Sequence, residues 1–577
     1  MQIQPTDNRP RVLPRPDHLM LDLPAEPFRK RHTRLLSDRS WYDTEVMQIS
    51  KFLRPRRSRW AADGEQGSRA RDRRSTAILN NTGTIAGRTL ASGMHTGASS
   101  PARPWFRLTT PGDPDLAENG EVKEYLTTIA RRMQTVFSRS NIYTSLHQGY
   151  GDLGDFGTSV MMIDENFDNV IRTHVFSPGE YCLAVDADGI VNTLYREFQI
   201  SVIGMMRKWG DRCSDRVRRL YSTGSYDELV TIIDAVEPNM QQVAGEIGPR
   251  GAPFLRVYFE KIEDKGRLLE AKGLMEFPAC TPRWDLRDGD VYGFGCGLEA
   301  LDDVMGLQML EQRKQMIADK LATPPTQGGP TTKKVNHRAG EHTAVPGNDV
   351  SGAQGGIRAL YEMQPQAITA LANEIARSEE RIRSTYYSDL FLMFAQSDRR
   401  EITAREVDER HEEKLLALGP VIERLHNENL DPAITRTFNI MQRARLFPDP
   451  PQALQNMDLK VQFISTLAQA QRAVSIGGIE RLAGFVGNLV AVYPSVKDKF
   501  DADQAVDEYA DATGVPPSVV LTDDRVAKIR EDAAQAAQGQ AMAAAAAGAA
   551  DTAKVLSETD VTDENLLGQI AGGVGAY

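Results

Sequence analysis

Three stretches hold residue types at spacings that could do chemistry. Gly293-Phe-Gly295-Cys-Gly297 stands directly before a helical pattern, where a glycine turn can cradle phosphate on backbone amides. The dinucleotide pattern asks for a further glycine at 298, where Leu stands. Glu299, Asp302 and Asp303 would also place carboxylates where phosphate oxygens lie, so a structural turn is the favoured reading. His411-Glu-Glu-Lys-Leu415 begins like a zinc helix but lacks the second histidine. Asp164-Glu-Asn166-Phe-Asp168 begins like a calcium loop. There Asn169 replaces the turn glycine and Val175 stands where a bidentate glutamate is needed, which favours a hairpin turn. The nine histidines do not cluster at ligand spacings, and neither a Gly-Lys dipeptide nor a Gly-x-Ser-x-Gly elbow occurs. The sequence calls for no catalytic residue, metal or cofactor.

Charge offers a different chemistry. Arg54, Arg56, Arg57, Arg59, Arg69, Arg71, Arg73 and Arg74 crowd the segment 54–74. A nucleic-acid contact is one reading; a solvated loop or inter-subunit ion pairs is the favoured one. The whole chain is acidic, with a formal net charge of −11 over 577 residues, which argues against a protein that simply coats nucleic acid. Hydrophobic residues make up 41% and charged residues 25%, an ordinary soluble composition. Cys182, Cys213, Cys280 and Cys296 form no Cys-x-x-Cys pair, so buried free thiols in a reducing compartment are expected. No apolar run is long enough to span a membrane, and the polar, proline-rich start carries no readable secretory address.

The elements that must position these residues follow from periodicity. A helix is expected over 29–53 and another in the middle of 75–100, with Ile78, Ile85, Leu90 and Met94 as core points and small residues for close packing. A further helix is expected over 118–150. Strands are expected at 158–163, 170–176, 180–185, 190–198, 254–260 and 267–277, with Asp186-Ala-Asp188-Gly189 as a hairpin turn. Two short helices are placed at about 200–221 and 225–237. One long helix then runs from near Leu298 to about Leu321, stopped by Thr323-Pro324-Pro325, and Leu298, Leu301, Met305, Met309 and Met316 form its apolar stripe. Its acids precede its bases along the axis, which complements the helix dipole. A Pro/Gly-rich insert separates it from a second long helix, about Pro365 to Met393, so the two make a hairpin with a small knob at its tip. A third helix runs from Thr403 to Leu446 with a possible kink at Gly419-Pro420, 459–513 is mostly helical, and an Ala-rich tail begins at 523.

Several of these segments together resemble the portal (head-to-tail connector) proteins of short-tailed, podovirus-type bacteriophages. The resemblance rests on Trp41–Trp60 (WYDTEVMQISKFLRPRRSRW), on Arg283-Trp284 with Gly289–Pro325, and on Ile402–Pro451. Weaker matches lie at Phe463–Arg472 and Gly514–Leu521. It implies a predominantly helical α+β portal fold with long stem helices, a β-containing wing, a small clip and a helical crown. In this numbering the implied parts are an N-terminal arm (1–27), wing (28–297), first stem helix (298–322), clip (323–363) and second stem helix (364–393). A channel loop (394–403), long wing helices (404–458), crown helices (459–522) and a tail or short barrel helix (523–577) complete it.

The resemblance implies a ring, usually a dodecamer, at one capsid vertex of the virion, assembled in the host cytoplasm. It would conduct double-stranded DNA during packaging and ejection, dock the terminase motor and then the tail, and nucleate head assembly. It would not be an enzyme. Implied partners are other copies of the chain, DNA held without sequence preference, the terminase large subunit, major capsid protein, scaffolding protein and head-to-tail adaptor or tail proteins; no membrane is involved. Candidate DNA-channel residues are Arg399, Arg400, Arg377, Arg381 and Arg383, with inter-subunit pairing to Glu374, Glu379 or Glu380 favoured for the last three. Clip candidates for terminase docking are Lys333, Lys334, His337 and Arg338, and ring-interface candidates are Leu301, Met305, Met309 and Met316. Two other readings remain open at this level: a nucleotide-dependent enzyme using the Gly293–Gly297 loop, and a non-viral DNA-binding scaffold.

Overall fold

The computed structural model describes residues 23–55, 57, 78–110, 120–243, 245–246, 248–262, 267–287, 289–323, 326–327, 358–359, 366–396, 418–454, 459–465, 482–490, 493–513, 525–540 and 542. The chain divides into two units, Met1–Leu482 and Ala483–Tyr577. The fold is α+β with helix dominating.

Helix α1 (Glu26–Asp38) hands over to α2 (Ser40–Phe52) at Arg39, where the sequence pattern reads as one helix. The break follows from the Arg39 side chain, only 3% exposed, which donates to the Tyr181 carbonyl and pairs with Asp43 at 2.7 Å. A buried guanidinium must find acceptors, and these fix where the chain turns. Helix α3 (Thr82–Ser99) follows, then β1 (Phe106–Thr109), α4 (Gly120–Arg139) and α5 (Ile142–Phe156). Leu90 and Met94 of α3 are buried as expected, but Ile85 is 58% exposed. The small residues of α3 do bring helices close: a Cβ on Gly87 would stand 2.6 Å from Asp155 Oδ1 of α5.

Strands β2 (Met161–Asn166) and β3 (Val170–Val175) form a hairpin, and β9 (Ala279–Cys280) later joins β2 to give the order β3-β2-β9. The calcium-like stretch is the hairpin turn, with Asn166 Oδ1 accepting from the Asp168 and Asn169 amides at 2.9 Å each. A second, five-stranded antiparallel sheet runs β4 (Tyr181–Val185), β5 (Val191–Ser201), β6 (Leu229–Pro238), β7 (Phe254–Glu260) and β8 (Glu270–Leu274) in that order. Strand β6 corrects the short helix expected at 225–237. Its β-branched run Val230, Thr231, Ile232, Ile233 sits at the centre of the sheet, where such side chains pack on both faces.

Helices α6 (Val202–Trp209) and α7 (Asp215–Ser222) are capped by Ser201 and Ser214, whose side chains accept from Gly204 N and Val217 N. Val202, Met205, Trp209 and Val217 pack with Ile232 and Tyr258 on one face. Phe28 of α1 joins Ile233, Val257 and Phe259 on the other. Successive residues of a strand point to opposite faces, and the two clusters divide accordingly.

The short turn α8 (Cys296–Glu299) leads into α9 (Leu301–Ala322), which is followed by the two-residue pair β10 (Thr326–Gln327) and β11 (Arg358–Ala359), then α10 (Gln366–Thr385) and α11 (Ser388–Gln396). Helices α12 (Gly419–Leu425) and α13 (Asp431–Arg443) flank a π-helical turn at His426–Leu430. Strand β12 (Lys460–Phe463) pairs with β1, so the stretch expected to be mostly helical starts as a strand. The largest core gathers α2, α3, α4, α5, α9, α11 and α13. All four cysteines are free and buried. No helix among the described residues is long and apolar enough to cross a membrane.

Candidate functional site on the helix pair

Helices α9 and α10 run antiparallel: Asp303, near the start of α9, pairs with Arg381, near the end of α10, at 2.9 Å. Between them opens a cleft of about 250 Å³ whose lining includes Gly306, Met309, Arg313, Glu374 and Ser378. The pair is buried only at its base. On α9 the buried residues are Leu301, Val304, Leu307 and Gln308, and on α10 they are Ile375, Ser378 and Ile382. Past Gln308, and before Ile375, nothing on either helix is buried. The distal halves thus project from the core with apolar side chains uncovered, Met309 at 55% and Met316 at 50% exposure.

The inward stripe differs from the one read from spacing. Val304 and Leu307, not the methionines, complete the face that Leu301 begins. Leu301 is 5% exposed and packed within its own chain, which removes it from the ring-interface candidates. Met305 is half-buried against the same core, while Met309 and Met316 stay available to a neighbour. Of the channel candidates, Arg377 pairs with Glu374 at 3.6 Å, and Arg383 with Glu379 at 3.3 Å and Glu380 at 3.9 Å. These pairs, and Arg381 with Asp303, lie within one chain, where pairing between subunits was expected. Arg399, Arg400, Lys333, Lys334, His337 and Arg338 lie outside the described residues, as does most of the Arg-rich segment.

Two polar clamps hold the base. Ahead of α3, the Leu79 and Asn80 amides donate to Gln308 Oε1 at 2.7 and 2.8 Å, and Gln308 Nε2 donates back to Asn80 O at 2.9 Å. The Asn80 side-chain amide donates to Glu311 of α9 and Glu379 of α10, at 3.2 and 2.8 Å, tying the two helices together. The second clamp lies where α10 gives way to α11. Tyr387 takes a left-handed φ of 50°, costly for a residue with a side chain, and the preceding Tyr386 is fully buried. Its hydroxyl donates to Asp155 Oδ1 at 2.8 Å, while Arg54 Nε holds Asp155 Oδ2 at 2.6 Å. One turn away on α5, Asp152 is gripped by Arg57 at 2.5 Å. Burial pushes the Asp155 carboxyl up, opposed by Arg54 and the Tyr386 hydroxyl.

The glycine turn lies against this clamp. A Cβ on Gly293 would stand 2.5 Å from Gly157 O, one on Gly295 2.6 Å from Gly154 O, and one on Gly297 2.2 Å from Asp155 O. Backbone is packed on backbone, and the Gly293 and Phe294 amides are taken by Thr158 Oγ1 and Asp285 O at 2.8 Å each, so the turn joins α8 to the end of α5. Gly297→Ala is therefore expected to cost at least about 2 kcal/mol through overpacking against rigid main chain. Chemical denaturation reads this directly, and a loss under about 0.5 kcal/mol would contradict the packing account.

His95 of α3 meets His147 of α5 edge to face, ring centroids 5.7 Å apart, with Tyr143 and Tyr150 alongside. Burial, then the neighbouring His147, lower the His95 pKa to about 4, while burial and Arg54 lower that of His147. A histidine depressed in the fold binds fewer protons than in the unfolded chain. Its contribution is intact above about pH 6.5 and is lost as pH falls towards 4. After discounting for partial exposure, the loss is about 2 kcal/mol. His95→Gln should flatten the stability profile between these limits, and an unchanged acid slope would contradict it.

Sequence reasoning missed the Arg54/Arg57 and Asp152/Asp155 clamp. Its one signal was matched spacing, two arginines and two aspartates each three apart, which a solvated helix face shows equally well. Among the described residues no group of three or more His, Cys, Asp or Glu could hold a metal ion.

Residues 25–521 match the family described as bacteriophage head to tail connecting protein. The chain is 41% identical over 553 residues to the probable portal protein of Bordetella phage BPP-1, covering 95% of this chain and 98% of that protein. It is 38% identical over 563 residues to the portal protein of Salmonella phage epsilon15, covering 96% of this chain and all of that protein.

Proposed function

This chain belongs to the bacteriophage head to tail connecting protein family, and from that premise we propose that it is the portal of a short-tailed phage, a ring at one capsid vertex through which double-stranded DNA is packaged and ejected. The observation that carries the ring is the helix pair. Its distal halves have no covering element among the described residues, with Met309 and Met316 about half exposed, and a closed ring of identical copies would cover them on both sides. In this reading α9 and α10 are the stem, residues 323–363 the clip and 394–403 the channel loop. The wing is the sheet-bearing body around them, and the chain after β12 forms the crown.

The chain is a conduit and no enzyme; the motor that burns ATP is its terminase partner, which docks at the clip before the adaptor or tail proteins take its place. Capsid and scaffolding proteins complete the partners, and the ring nucleates the head in the host cytoplasm. A net-negative subunit suits a channel, because a strongly basic wall would hold each phosphate and slow its passage. A glycine turn whose Gly293 and Phe294 amides are already bonded within the chain disfavours the nucleotide-dependent alternative. Mass measurement and negative-stain images of the purified chain test the ring: a closed ring of about a dozen copies is expected, and a stable monomer overturns it. Replacing Arg399 and Arg400 by alanine should leave rings intact while lowering packaged DNA. Full packaging and infectivity in that variant would remove these residues from the channel.

A further inference from the structure

On α6, on α7 and along the chain from α7 into β6, four apolar side chains lie uncovered. Ile203 is 48% exposed, Tyr221 39%, Tyr226 45% and Leu229 43%. They form one patch: the Tyr221 and Tyr226 rings meet with centroids 5.2 Å apart, Ile203 N donates to Tyr226 O at 3.2 Å, and Leu229 pairs across the sheet with Ser201. The support is rigid, because Val202, Met205, Trp209 and Val217 anchor both helices to the sheet beneath.

Charge around the patch has a sign. The acids Asp215 and Glu228 are taken up by Arg218 and by Arg216, the latter at 3.6 Å, while Asp211 and Asp227 are exposed with no ion pair among the described residues. Arg207, Arg212 and Arg219 are exposed and have no carboxylate partner among the described residues. Across 202–229 six bases outnumber four acids, so the segment that carries the patch is net positive on a chain of net charge −11. Tyrosine and arginine around an apolar centre is the composition of a protein-binding hot spot. Nucleic acid fits less well, because the apolar centre of Ile203 and Leu229 offers a phosphate backbone nothing.

We propose that this face docks a protein partner that presents acidic side chains around an apolar anchor, a contact by which the ring is held in the phage head. The identity of the partner as a head protein rests on the portal reading; the surface and its chemistry do not. Arginine steers the acidic segment in, and the Ile203, Tyr221, Tyr226, Leu229 patch supplies the dry centre.

The test uses the full chain co-expressed with the capsid and scaffolding proteins of its own phage. One variant carries Tyr221→Ala and Tyr226→Ala, and a second carries Arg207→Glu, Arg212→Glu and Arg219→Glu. Since these side chains are exposed, both variants should keep the melting temperature and ring mass of the parent. Both should enter heads at least about tenfold less often, and head binding by the parent should weaken with added salt. Incorporation at the parental level in both variants overturns the proposal. Loss of the ring itself reassigns the face to a contact between copies and overturns it too, and so does intact incorporation with lost binding to duplex DNA. A parent chain that forms no ring and stays outside heads overturns the portal reading, and this partner with it.

Discussion

Met309→Asp combined with Met316→Asp is expected to yield a folded chain that no longer closes into rings. The two methionines stand on the free half of α9, 55% and 50% exposed, so neither supports the core of its own chain. Far-UV circular dichroism and the melting temperature should therefore stay close to the parent. In a ring each methionine would be buried against a neighbour, a gain of about 1–1.5 kcal/mol per side chain, since each is already about half covered. An aspartate there loses that gain and also leaves an unpaired charge in an apolar contact, which adds several kcal/mol. Every interface in a closed ring repeats the penalty, so a change that weakens one contact modestly removes the assembly outright. Glutamine at both positions should weaken rings less, because it brings no charge. Native mass and negative-stain images read the result. Rings of parental size from the aspartate variant would show that the stem contact lies elsewhere.

The helix pair was legible because amphipathic periodicity and the Thr323-Pro324-Pro325 stop are local signals, read without knowing the partner. Which face points inward was less so. Leu301, Val304 and Leu307 compete with Leu301, Met305 and Met309 at almost the same helical spacing, and only the position of the body decides between them. The joint at Tyr386-Tyr387 carries no glycine or proline, so nothing local announces it. A buried hydroxyl drawn to Asp155 makes it, from 231 residues away. Strand β6 failed for a related reason. Ser225 and Glu228 have capping-box spacing, and Leu229, Ile232, Ile233 and Val236 repeat as a helix would, but a central place between β5 and β7 overrides those preferences. The structural reading of the glycine turn needed only local signals, Leu298 in place of a glycine and the acids Glu299, Asp302 and Asp303.

Asp155→Ala is expected to be the most damaging single substitution in the body, costing about 3–5 kcal/mol. The carboxylate is 2% exposed and serves three elements: Arg54 after α2, Tyr386 at the joint, and Gly87 of α3, which approaches it closely. Alanine would leave the Arg54 guanidinium half-sunk without its anion and the Tyr386 hydroxyl without an acceptor. Breaking one side of a buried pair costs more than the pair was worth, because the remaining charge stays desolvated. Asparagine should lose less, since it keeps the shape and an oxygen for Tyr386. The pH dependence separates the contributions. Because burial raises the Asp155 pKa, stability linked to this group is fullest below about pH 3.8 and falls as pH rises through the folded value; asparagine should remove that fall. A double variant with Arg54→Ala should lose less than the sum of the single losses, since removing the stranded cation relieves part of the damage. Additive losses, or an Asp155→Ala chain within about 1 kcal/mol of the parent, would mean that the clamp does not hold the joint. If it does hold, ring yield should fall with Asp155→Ala even where the chain stays folded. The direction of α10 depends on Tyr386, and a ring closes only when every copy presents its helix pair at the same angle.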